Sequence, residues 1–200
     1  MRGSYGLIRT PFLMWIRKGV FCISACPSWL SIEVALKERE DVDMATAIFG
    51  AGCFWGVEAF FEKFEGVTGT TVGYIGGHLE NPSYEEVKQG DTGHAEAVRI
   101  EYNPAVITYA KLVNIFFEAH DPTQVNRQGI DVGHQYRSVI FYTDASQKYI
   151  AEEKISEWSA KGVFKRPIAT QVEEASSFFE AEEHHQKYIQ KHGSAACSIG

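Results

Sequence analysis

Thr46-Ala47-Ile48-Phe49-Gly50-Ala51-Gly52-Cys53-Phe54-Trp55-Gly56-Val57-Glu58-Ala59-Phe60-Phe61-Glu62-Lys63-Phe64 changes its hydrophobic period at the glycines. Thr46 to Phe49 is a short apolar run, as a buried strand requires, and Gly50-Ala51-Gly52 reads as a tight turn. From Cys53 to Phe64 the apolar residues Phe54, Val57, Phe60, Phe61 and Phe64 recur at three- and four-residue spacings, which predicts a helix. A strand, a glycine turn and a helix therefore follow one another, with a cysteine at the helix start.

The same reading extends downstream. Strands are predicted at Thr68 to Tyr74, His94 to Tyr102, Ser138 to Tyr142 and Ala169 to Val172. Alternation in His94 to Tyr102 is only partial, so its register is left open. Tyr84 to Lys88 reads as a single helical turn. Thr108 caps an amphipathic helix to His120, with Leu112, Ile115, Phe116 and Ala119 on one stripe, and Asp121-Pro122 stops it. Thr123 to Gln135 is polar and reads as a long functional loop. Asp144 caps a helix to about Lys161, and a last helix is expected over Glu180 to Gln190. Strands interleaved with helices predict an α/β domain of the two-layer α+β kind.

Composition narrows the function classes. The 200 residues are 44% hydrophobic and 22% charged, enough for one domain with a sizeable core. Nineteen basic against 26 acidic residues give a net charge of −7 with no basic block, so nucleic acid is not an expected partner. Cys22, Cys26, Cys53 and Cys197 are too few and scattered for a secreted disulfide framework, and a reducing compartment, the cytoplasm, fits better.

Residues 1–43 differ from the rest. Arg2, Arg9, Arg17 and Lys18 precede an uncharged stretch from Gly19 to Ile32 that is short for a membrane helix and contains Pro27, so no spanning segment is expected. A secretory or lipoprotein-type signal ending near Cys26 is the other reading, on a very short apolar core. The reading preferred here is translation from Met44, with residues 1–43 an upstream extension, 44–200 the domain and 193–200 a mobile tail.

Cys53 carries the chemistry. A helix N-terminus offers unpaired N–H groups and a positive dipole end, which stabilise a thiolate. A small buried hydrophobe is the competing reading, and position alone does not separate them. The histidines at 94, 120, 134, 184 and 185 raise a metal or a cysteine–histidine hydrolase. Adjacent His184 and His185 would point apart on a helix, so no metal site is expected.

Gly52-Cys53-Phe54-Trp55-Gly56 resembles the active-site signature of the A-type peptide methionine sulfoxide reductases. Five further blocks resemble that family in order: Gly73-Tyr74 with Gly76-Gly77, Asn81-Pro82-Ser83-Tyr84, Thr92-Gly93-His94-Ala95-Glu96, His120-Asp121-Pro122-Thr123-Gln124, and Gly133-His134-Gln135-Tyr136-Arg137-Ser138. The resemblance covers Ala45 to Cys197. It implies a ferredoxin-like core with a mixed sheet and surrounding helices, and reduction of methionine S-sulfoxide, free or in proteins.

The resemblance also implies roles. Cys53 attacks the sulfoxide sulfur, Glu96 protonates the oxygen, and Tyr84 and Tyr136 hydrogen-bond to it. Phe54 and Trp55 hold the substrate methyl, Asp131 lines the site, and Gly52 and His94 join the substrate-binding set. A sulfoxide oxygen leaves poorly until protonated, which is why an acid is needed. The sulfenic acid left on Cys53 is resolved by Cys197, and thioredoxin or another dithiol reduces the disulfide. Ser194-Ala195-Ala196-Cys197 departs from the family in lacking the glycine-tyrosine often found before that cysteine. No bound cofactor and a monomer are expected. The alternative is a redox-sensing or peptide-binding thiol domain that does not turn over.

Overall fold

A computed structural model describes residues 43–193. The expectations for the upstream extension, for Cys22 and Cys26, and for the tail with Cys197 lie outside the described residues.

Strand β1 (Ala45–Ala51) leads through Gly52 and Cys53 into helix α1 (Phe54–Phe61). Strand β2 (Val67–Ile75), the short helix α2 (Tyr84–Gln89) and strand β3 (Ala95–Tyr102) follow. Helix α3 (Tyr109–Ala119) crosses back and is capped by the Thr108 side chain, which accepts from the Lys111 amide. A two-stranded hairpin of β4 (Arg127–Gln128) and β5 (Asp131–Val132) precedes β6 (Ser138–Tyr142). Helix α4 (Ala145–Lys161) returns the chain to β7 (Gln171–Glu174), and β8 (Phe179–Glu180) and α5 (Tyr188–His192) complete the order.

The main sheet runs β7-β6-β1-β3-β2-β8. Its centre, β6-β1-β3-β2, is antiparallel throughout, with α1 and α3 as the crossovers of a ferredoxin-like unit. β7 adds parallel to β6 through α4, which makes the sheet mixed.

The face under α1 and α3 holds the larger core. Phe49 of β1 sits between Phe61 of α1 and Phe116 of α3, at ring distances of 5.5 and 5.1 Å. All three are buried, each worth about 1.5–3 kcal/mol in area removed from water. Strand β3 sends Val98, Ile100 and Tyr102 to this face and Ala95 and Ala97 to a smaller cluster on the other. Both faces are apolar, which explains why its alternation was partial in the sequence.

Three segments differ from the reading above. Helix α1 ends at Phe61, three residues early. The loop from Thr123 to Gln135 contains the β4–β5 hairpin and a 3-10 turn at His134–Tyr136. The last helix is not Glu180 to Gln190: β8 takes its start, turns follow, and only Tyr188–His192 is helical. The cause is docking onto β2. The Ala181 amide donates to the Val72 carbonyl at 3.0 Å, and the Gln186 side chain bonds Val72 N–H and C=O, both at 2.9 Å. Lys187 then takes a left-handed backbone, φ 55°, that a continuous helix would not contain.

Candidate active site

Cys53 stands at the turn from β1 to α1, half-buried, as the N-cap residue of the helix. Gly52 reaches that turn with φ +97°, where an L side chain is strained. A Cβ there would also lie 2.7 Å from the Cβ of Gln128, so the β4–β5 hairpin rests directly on the turn that aims the cysteine.

Strand β3 brings Glu96 beside it. In the β2–β3 register Glu96 lies opposite Tyr74, both on the face under α1. The carboxylate oxygen Oε2 of Glu96 accepts the backbone N–H of Phe54 at 3.0 Å, and the residue is 2% exposed. A buried carboxyl thus sits at the first amide of the helix that begins after Cys53.

Tyr84 and Tyr136 arrive from α2 and from the 3-10 turn. Burial pushes the Tyr84 hydroxyl up to about 12, and the nearby charges of Glu96, Cys53, Glu85 and Asp131 add to it. Tyr136 is raised further, first by burial and then by Glu96, Tyr84, Asp131 and Cys53. Both phenols keep their protons and can donate. Burial also raises the Asp131 carboxyl. The five side chains therefore share one neighbourhood.

Its apolar wall is aromatic. Phe54 is buried with its ring 6.1 Å from Trp55 and 5.8 Å from Tyr74. Trp55 stacks on Tyr188 at 4.0 Å, and its indole N–H donates to His185 Nδ1 at 3.2 Å. His185 also lies 4.4 Å from the Tyr84 ring. Glu182 fastens the same corner: one carboxylate oxygen accepts the Tyr84 amide at 3.0 Å and the other the Tyr74 hydroxyl at 3.1 Å. Tyr74, Glu182, His185 and Tyr188 were not singled out as site residues from the sequence. The polar run Glu182 to Gln186 held the signal, because it fits no helical stripe.

His94 does not join this wall. It is buried with Nδ1 accepting from the Gly77 amide at 3.1 Å and Nε2 donating to the Leu79 carbonyl at 2.7 Å. Both ring nitrogens are spent on the turn after β2, which His94 braces. His120 is likewise buried between the Phe116 carbonyl and the Ser138 hydroxyl, and burial holds it down to about 4, too low for a base. Among the described residues no three His, Cys, Asp or Glu side chains gather where a metal ion could be held.

The family model described as peptide methionine sulfoxide reductase matches residues 45–200. This chain belongs to that family. It is 52% identical over 153 residues to the reductase MsrA of Methanothermobacter thermautotrophicus, covering 76% of this chain and 90% of the relative. To MsrA of Acidobacterium capsulatum it is 53% identical over 156 residues, 78% of this chain and 100% of the relative. Mxr1 of Saccharomyces cerevisiae in reduced form superposes with a TM-score of 0.73 at 35% identity, covering 78% of this chain and 89% of Mxr1. Mxr1 has also been solved in complex with Trx2, where the TM-score is 0.53 at 25% identity, covering 78% and 87% of the two chains. Thiol-dependent reduction of methionine sulfoxide is the activity of a peptide methionine sulfoxide reductase, and a sensor or binding domain without turnover is not favoured.

Proposed function

We propose that Cys53 and Glu96 form the reacting pair, with Tyr84 and Tyr136 as donors to the sulfoxide oxygen. The observation that carries this is the Glu96 carboxyl, buried and held by the Phe54 amide one residue after the cysteine. The Cys53 thiolate attacks the sulfur of methionine S-sulfoxide while Glu96 delivers a proton to the oxygen. The tyrosine hydroxyls hold that oxygen as charge develops on it. Phe54 and Trp55 receive the methyl group, Asp131 borders the site, and Gly52 admits the turn. Methionine leaves, the oxygen passes to Cys53 as a sulfenic acid, and the thiol of Cys197 condenses with it, releasing water and forming one disulfide.

A dithiol then reduces that disulfide to two thiols. The Mxr1–Trx2 complex supports thioredoxin in this role. We place the protein in the cytoplasm as a monomer that needs no bound cofactor and acts on free and protein-bound sulfoxide. Among the described residues no helix is long and apolar enough to cross a membrane.

The test is turnover of racemic methionine sulfoxide with dithiothreitol, each epimer followed by chromatography. Only the S epimer should disappear, and Cys53→Ser should abolish the loss. Cys197→Ser should turn over with dithiothreitol but stall with thioredoxin. A folded, reduced protein that consumes neither epimer would overturn the assignment.

A further inference from the structure

Seven large apolar side chains are exposed among the described residues, and three of them, Val125, Ile130 and Val132, fall within eight consecutive positions. Scattered exposed apolar residues are ordinary, but a cluster calls for a partner. Ile130 and Val132 sit on the β4–β5 hairpin, and Val125 lies two residues before it. Arg127 pairs with Val132 and Gln128 with Asp131, leaving Gly129-Ile130 as a two-residue loop. Turn chemistry favours small or polar residues at such a tip. Ile130 stands there 82% exposed, with Val125 and Val132 each at 69%.

The hairpin has two faces. Gln128 rests against Gly52 at the cysteine turn, and its partner Asp131 shares that side because directly paired residues project together. Successive residues alternate, so Arg127 and Val132 project outward. Ile130 at the tip and Val132 beside Arg127 on the outer face therefore rise at the edge of the site.

We propose that this surface is a docking ridge for the apolar residues that flank an oxidised methionine in a polypeptide substrate. The proposal rests on the reductase reading of the site. Methionine packs mainly in cores and apolar interfaces, and conversion to the sulfoxide disrupts that packing. The segments that present an oxidised side chain thus carry apolar neighbours. Behind the ridge, Val125, Arg127, Gly129 and Arg166 line a cleft of about 490 Å³. Arg166 faces the Asp121 carboxylate at 3.7 Å, which leaves the charge of Arg127 to suit a neutral or acidic segment better than a basic one.

Free methionine sulfoxide carries no flanking residues for the ridge to bind, so it serves as the internal control. The experiment measures kcat/KM with dithiothreitol for free methionine S-sulfoxide and for two blocked pentapeptides with a central sulfoxide, one flanked by leucines and one by serines. Wild type should favour the leucine peptide by about tenfold, the scale of a small apolar contact. Ile130→Ser with Val132→Ser should erase that preference and leave the free sulfoxide unchanged. Equal rates on both peptides in wild type, or a preference that survives the double substitution, would overturn the ridge. A variant that slows only thioredoxin-driven turnover, equally for every substrate, would overturn it too and make the hairpin part of recycling. Turnover of the free sulfoxide separates these failures from a failure of the reductase reading, which would abolish it.

Discussion

The indole N–H of Trp55 donates to Nδ1 of His185 over 3.2 Å, joining the site's wall to a residue 130 positions later. Because Nδ1 accepts, the proton of the neutral ring sits on Nε2. That nitrogen is buried 3.9 Å from the Glu182 carboxylate. Burial, then the neighbouring His184, lowers the His185 pKa, which keeps the ring a neutral acceptor. His185→Ala should leave the Trp55 N–H unmet and loosen the stack on Tyr84. KM for methionine sulfoxide should rise about tenfold with kcat less affected, and His185→Gln, which can still accept, should recover most of the loss. Unfolding in urea should report a cost of about 1–3 kcal/mol for the alanine variant.

Glu96→Gln separates holding from proton donation. The amide oxygen can still accept the Phe54 N–H, so folding should be preserved. The proton donor is gone, and kcat should fall by about 10²–10⁴-fold. Single-turnover kinetics beside a thermal melt checks both halves.

The two tyrosines should act as protonated donors across the whole working range. Tyr84 is pushed up to about 12 and Tyr136 is also raised, so neither should produce a limb in the pH–rate profile below about pH 10. Tyr84→Phe and Tyr136→Phe should each lower kcat/KM by about tenfold, and together by about 10²–10³-fold. Their pH profiles should run parallel to that of wild type.

Beneath α1 lies a buried ionic knot of a different kind. Glu58 is buried and accepts the Thr70 hydroxyl at 3.1 Å and the Lys187 amide at 2.8 Å, with the Lys187 ammonium 3.4 Å away. Burial raises the Glu58 pKa above 4.5, and Lys187 partly opposes that. A carboxyl raised in the folded state binds its proton more tightly there than when unfolded. Its contribution is therefore full below about pH 4.5 and declines as pH rises through the folded value. Lys187→Met should steepen that decline and destabilise by about 1–3 kcal/mol at pH 7. Adding Glu58→Gln should restore most of it, read as urea midpoints between pH 4 and 8.

Gly52→Ala tests the turn. The positive φ and the 2.7 Å approach to Gln128 both oppose a side chain, and a loss of about 1–3 kcal/mol is expected, with activity falling alongside. Gln128→Gly, which removes the Cβ at 2.7 Å, should relieve the steric part but not the backbone strain.

The strands and helices that build the core were legible because their apolar residues follow one period. The β1–α1 unit announced itself in Phe49, the glycines and Phe54 to Phe61, and the cysteine's place followed. The C-terminal wall was not legible, because Glu182, His185, Gln186 and Lys187 make long-range polar contacts that leave no periodic trace. The β4–β5 hairpin was missed for a related reason: strands two residues long carry no alternation. The contacts of His94 were not legible either, because a motif places a residue in a neighbourhood without saying which atoms its ring will meet.

The Gln186 side chain has one more effect. At Val72 it supplies the acceptor that a neighbouring strand would have supplied and joins the Ala181 amide as a second donor to the carbonyl, while β8 pairs only with Gly73 and Tyr74. An open rung there would invite a strand from another molecule, and repeated pairing of that kind leads to aggregation. A single amide beside the aromatic wall also blocks that rung against self-association. Replacing it would therefore be felt first in solubility at high concentration, before any change in the chemistry at the cysteine.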